Sequence, residues 1–168
     1  MKKRTKITLT VAAALVLAPA VAVGAMATVN AVATNSEASE ITPYGQRVSV
    51  DGREMNVVVS GDHEQTIVLL PGLGTAAPGL DFAPLIDRLD DDYRVIAVEP
   101  FGTGLSDGTD VPRTSENISR EVHEALQQLG ADRYVLMGHS IAGIYALTYT
   151  SLFPDEVTAF VGIDNSVP

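Results

Sequence analysis

Apolar positions along this chain follow two regimes. From Ile7 to about Ala33 they run on with little interruption, broken by Pro19 and Gly24. From Arg47 onward they recur with the periods of strands and helices. Val48 and Val50, the Asp51-Gly52 turn pair and Met55 to Val59 predict a β-hairpin. Thr66 to Leu70, Tyr93 to Val98, Tyr134 to Met137 and Val157 to Ile163 are short apolar runs of the kind buried in parallel sheets. Helices are expected between them. Phe82, Leu85, Ile86 and Leu89 have helical spacing, Ile118, Val122, Ala125, Leu126 and Leu129 form one stripe after a Thr114 cap and before Gly130, and 141–152 makes a further helix. Strands alternating with helices through short connections predict an α/β fold, a doubly wound, mostly parallel sheet with an N-terminal hairpin. Its sites should lie at the carboxyl ends of the strands.

Charge sharpens the division. Lys2, Lys3, Arg4 and Lys6 precede the long apolar run, which is the order of a charged n-region and an h-region. Ala25-Met26-Ala27 and Ala31-Val32-Ala33 are small-residue endings suited to a signal peptidase. The 23 residues from Ile7 to Val29 would equally serve as an uncleaved membrane anchor. Either way, residues 1–33 direct the remainder to the outside, since the positive cluster stays cytoplasmic. Residues 34–43 are expected to be a polar spacer, carrying Ser36, Glu37, Ser39 and Glu40, and 44–168 the folded domain. All 21 acidic residues lie after the leader with only seven arginines, a net charge of −14. Such a surface argues against nucleic acid as a partner. The chain has no cysteine, which removes disulfides, thiolate catalysis and cysteine metal sites.

Three motifs stand at the ends of successive predicted strands: Pro71-Gly72-Leu73-Gly74, then Glu99-Pro100-Phe101-Gly102-Thr103-Gly104-Leu105-Ser106-Asp107, then Gly138-His139-Ser140-Ile141-Ala142-Gly143. Ser140 falls where strand pattern changes abruptly to helix pattern. A serine hydroxyl needs such an exposed turn, a base and an oxyanion site before it can act as a nucleophile. The alternative is a serine that merely caps a helix. Gly102 and Gly104 lack the third glycine of a phosphate-binding loop, so nucleotide binding is not supported.

The order of these motifs over residues 44–168 resembles the first two-thirds of an α/β-hydrolase of the serine type. The resemblance implies that Ser140 is the nucleophile on the strand-to-helix elbow. It implies backbone N–H donors at Ile141 and Leu73 for the oxyanion, with Pro71 where the family often has histidine. Ala142 stands where glycine is usual, and Gly143 one place later. Glu99 replaces the usual aspartate and is expected to bond loop amides. Asp164 is either the carboxylate that orients the base or an Asx turn closing its strand. None of the three histidines is a convincing base: His63 lies in a loop, His123 beside the middle helix's apolar stripe, and His139 points away from its neighbour Ser140.

The last strand, Val157 to Ile163, is apolar on both faces, as a strand with neighbours on either side would be. The fold is therefore expected to be incomplete here, and the chain to be the amino-terminal part of a longer extracytoplasmic hydrolase that is inactive as a fragment. The expected reaction is hydrolysis of an ester, amide or related acyl bond in a small-molecule or peptide substrate, without cofactor or metal. The alternative is a non-catalytic α/β-hydrolase-like binding or anchored module.

Overall fold

The computed structural model describes residues 2–38 and 40–166; Met1, Ser39, Val167 and Pro168, which entered the leader, spacer and strand-exit readings, lie outside them. Two units are separated at Pro43. The first contains helix α1, Lys2–Ala38, with Pro19 inside it. Leu17–Glu37 is long and apolar enough to cross a membrane by length and composition. The helix continues past Ala33 into the segment expected to be spacer, because α-helical hydrogen bonds do not stop where composition turns polar. Beyond it, 41–44 have no regular structure.

The second unit begins at Tyr44. Its elements are β1 (Gln46–Val50), β2 (Arg53–Ser60), β3 (Thr66–Leu70), α2 (Pro78–Asp81), α3 (Ala83–Leu89), β4 (Arg94–Val98), α4 (Ser115–Gln128), β5 (Tyr134–His139), α5 (Ala142–Leu152) and β6 (Val157–Ile163). The six strands form one sheet in the order β1-β2-β4-β3-β5-β6. β1 and β2 pair as the expected antiparallel hairpin, with Gly52 at positive φ in the turn, and β2 runs antiparallel to β4. β4, β3, β5 and β6 are parallel.

Strand period explains the two cores. Val68 and Leu70 of β3 face one side, where Val48, Met55, Val57, Leu136 and the α4 and α5 side chains Val122, Leu126 and Tyr149 gather. Ile67 and Leu69 face the other, with Val95, Ala97 and Ile86 of α3. Burial on both faces is why these strands read as continuous apolar runs. α4 starts as anticipated, Thr114 Oγ1 accepting from the Asn117 amide at 3.2 Å, and its stripe is buried from Ile118 to Leu126. Gly130 at φ +66 ends it.

β6 differs from its pattern. Among the described residues it pairs with β5 alone and stands at the sheet edge, so residues 158–162 are exposed despite their largely apolar character. The consequence for the site is topological. β3 leads to β4 on one side and is flanked by β5 on the other, so the chain leaves β3 and β5 in opposite lateral directions. A crevice between their carboxyl ends is the expected place for a ligand.

Candidate active site

The loop after β5 carries Ser140 at φ +54, in the left-handed region that a residue with a side chain rarely adopts. The surrounding chain enforces that conformation. The Ser140 amide donates to the Ile163 carbonyl at 3.1 Å, and its own carbonyl accepts from Gly143 N at 3.2 Å and Ser166 N at 3.1 Å. Strained backbone of this kind persists where surrounding structure over-determines it, often at functional sites. Small residues let the elbow close: a Cβ on Gly138 would lie 3.1 Å from Ala142 Cβ and 3.3 Å from the Phe160 ring. Ala142 is fully buried, so alanine meets the requirement for small size.

Among the described residues, Ser140 Oγ makes no hydrogen bond, and neither the Ile141 nor the Leu73 amide has an acceptor. Ile141 is the residue before α5, with helical dihedrals of −59° and −20°. Its unpaired N–H is one of the donors that a helix start leaves over. Leu73 lies in the loop after β3 with its side chain 82% exposed, so burial does not account for its placement. The loop nonetheless touches the elbow. A Cβ on Gly72 would fall 2.7 Å from His139 Nδ1 and 3.3 Å from Ser140 Cβ, so only glycine allows this approach. Gly74 follows at φ +80.

The three histidines occupy separate places. His63 is exposed between β2 and β3. His123 meets Glu156 Oε2 at 3.1 Å and stacks on Phe153 with ring centroids 3.8 Å apart, at the amino ends of β5 and β6 and thus at the opposite end of the sheet from Ser140. His139 is half-buried and lines a cavity of about 320 Å3 with Thr75, Asp81, Phe82, Leu85 and Ile163. No histidine is hydrogen-bonded to Ser140 among the described residues. A larger cavity, about 520 Å3, opens at the amino ends beside Thr66, Tyr93, Arg133 and Thr158, and none of the motif residues lines it.

Asp164 leaves β6 at φ +46, exposed, and its carboxylate accepts no hydrogen bond among the described residues. The Asx turn weighed for it is therefore absent. Glu99 behaves as expected of a loop-bonding carboxylate. It is fully buried and accepts from Leu105 N at 2.7 Å, Asn56 Nδ2 at 3.1 Å, Gly79 N at 3.2 Å and the Tyr44 hydroxyl. Tyr44, Asn56 and Gly79 carried no motif of their own. The one available signal was the position of Tyr44 at the start of the folded unit.

Comparison with known proteins agrees with this fold. The family model for the alpha/beta hydrolase fold matches residues 65–168. The uncharacterized protein YbdG of Bacillus subtilis is 31% identical over 135 residues, covering 80% of this chain and 42% of that protein. The putative carbamate hydrolase RutD of Escherichia coli is 29% identical over 99 residues, covering 58% of this chain and 36% of that protein. Among solved structures, Cfl2 from Burkholderia cenocepacia superposes with a TM-score of 0.69 at 23% identity, over 76% of this chain and 47% of its own. The enol-lactonase from Burkholderia xenovorans superposes with a TM-score of 0.63 at 24% identity, over 68% and 45%. The chain spans about two-fifths of the length of these curated relatives. The matched region runs from the end of the loop before β3 through the Ser140 elbow to β6, and the chain belongs to the alpha/beta hydrolase fold family.

Proposed function

We propose that Ser140 is the nucleophile of a hydrolase that cleaves an ester, amide or related acyl bond through an acyl-serine intermediate. The observation that carries this reading is the elbow itself. Ser140 is held at positive φ by bonds from three sides while its Oγ stays unengaged. Attack of Oγ on a carbonyl carbon places negative charge on the carbonyl oxygen, and the free amides of Ile141 and Leu73 are the donors suited to receive it. Each such donor typically lowers the barrier by about 3 kcal/mol. Support for the bond class comes from relatives described as acting on a carbamate and on an enol lactone. The 320 Å3 cavity beside the elbow is of the size that takes a compact substrate group.

The proton on Oγ must go to a base, and none of the histidines in this chain is in position. We assign the base to sequence beyond β6 in a longer, extracytoplasmic protein, with Asp164 available to orient it from the end of β6 and α1 as its signal or anchor. The match to less than half of the length of its relatives and the exposed apolar face of β6 support this assignment. The same placement of the histidines favours a second reading for the 168 residues alone, a binding module that keeps the sheet without the base.

Fluorophosphonate labelling separates the two. The longer protein is expected to label, and Ser140→Ala to abolish labelling. Absence of labelling in the longer protein would reject the catalytic reading in favour of the binding module.

A further inference from the structure

The loop from Pro71 to Ala77 presents the Leu73 amide, yet little within the loop holds it. Its one internal backbone bond, Thr75 N to Gly72 O, is stretched to 3.5 Å. The Leu73 side chain projects into solvent. Besides the Gly72 contact with the elbow, the fixed points lie at its far end, and both converge on one carboxylate. Gly79, the second residue of α2, donates its amide to Glu99 Oε1 at 3.2 Å. Ala76 accepts from Gly104 N at 2.8 Å, and Gly104 is packed so tightly on Glu99 that a Cβ there would lie 1.8 Å from Oε2. Tyr44 closes the fourth side, its hydroxyl on Oε1 and its ring against Gly79, where a Cβ would meet Cε2 at 3.0 Å. Burial and the neighbouring carboxylate push the Tyr44 phenol well up, so it remains a donor. No basic side chain pairs with Glu99 among the described residues; four neutral donors do.

We propose that Glu99 and Tyr44 are positioning residues, a buried carboxylate and its hydroxyl donor that together fix the 71–77 loop and so aim the Leu73 amide at the oxyanion. The role in catalysis rests on the reading of Ser140 given above; the fixing of the loop does not. The Glu99 carboxylate, carried on β4's end, reaches both α2 and the entry residue Tyr44. Glu99→Gln replaces an acceptor oxygen with an NH2 group that faces donors on either side.

Hydrogen exchange of the existing chain tests this. In Glu99→Gln, the bonded amides of this segment, those of Thr75, Gly79, Leu80 and Asp81, are expected to exchange about tenfold faster while those of β3 and β5 keep their rates, since a bond to a charged acceptor is lost locally. Tyr44→Phe is expected to give about a threefold acceleration in the same segment and no further acceleration when added to Glu99→Gln. Acceleration spread evenly over the sheet, unchanged rates in 71–81, or additive effects of the two substitutions would each overturn the proposal. Should Glu99→Gln not fold, Tyr44→Phe decides by its segment-specific effect. A second readout is the fluorophosphonate rate of the longer protein: a lower limiting rate at unchanged probe affinity is expected in both variants. Wild-type protein that does not label rejects the hydrolase reading, while the exchange data still judge the loop.

Discussion

At the amino ends of β5 and β6 the hydroxyls of Tyr134 and Tyr149 meet beside the Glu156 carboxylate, and His123 reaches the same oxygen from α4. At the carboxyl ends of β3 and β5, Ser140 Oγ and the amides of Leu73 and Ile141 have no partner among the described residues. Both ends are built from polar groups on the same sheet. The first is closed on itself: both phenols are buried, desolvation pushes each well above the ordinary tyrosine range, and Phe153 stacks over the imidazole. Satisfied buried networks rigidify a core, whereas unpaired donors held at a surface are available to a ligand. The difference separates the end that holds the fold from the end proposed to do chemistry.

The largest effect should come from opening the closed end. Tyr149→Ala removes a buried ring and one member of the Glu156 cluster, and is expected to cost about 3–5 kcal/mol in urea unfolding. A cost below about 1 kcal/mol would erase the distinction between the two ends. At the open end the sign reverses. Ser140→Gly relieves the left-handed strain and is expected to be about 1 kcal/mol more stable than Ser140→Ala, which keeps it. Equal stability of the two variants would mean that the elbow is unstrained.

A smaller effect sharpens the comparison at the loop that borders the open end. The Glu54 amide and then Arg47 hold the Asp107 carboxyl below the ordinary aspartate range. A group whose pKa is depressed by folding stabilises above its unfolded value, and that contribution fades as pH falls through the folded one. Asp107→Asn should therefore unfold slightly earlier than the parent at neutral pH and together with it in strong acid. A gap that persists in acid would remove the charge from the explanation.

Much of this was legible because it is local. The bounds of β6, the Thr114 cap, the Gly130 stop and the strand-to-helix change at Ser140 depend on residues a few positions apart, where period and backbone preference act. The partners of Glu99 and His123 were not. Tyr44 lies 55 positions from Glu99 and His123 lies 33 from Glu156, and neither pairing leaves a mark in periodicity. β6 shows the converse. Its residues spell a strand buried on both faces, but burial depends on neighbours, and among the described residues β5 is its only one in the sheet. α1 likewise passes the change of composition at Ala33 because helix propagation follows the backbone.

The Ser140 peptide unit is clasped by β6 and the turn behind it, Ile163 taking its N–H and Ser166 giving an N–H to its carbonyl. Those residues leave the ribosome more than twenty positions after the serine. Without them only the local bond from Gly143 N to the Ser140 carbonyl holds the elbow in its left-handed shape, so the serine is expected to relax. The geometry of the proposed nucleophile thus depends on the strand next to β5 being in place. For the proposed serine hydrolase, that dependence would keep the reactive group unformed until the domain around it exists.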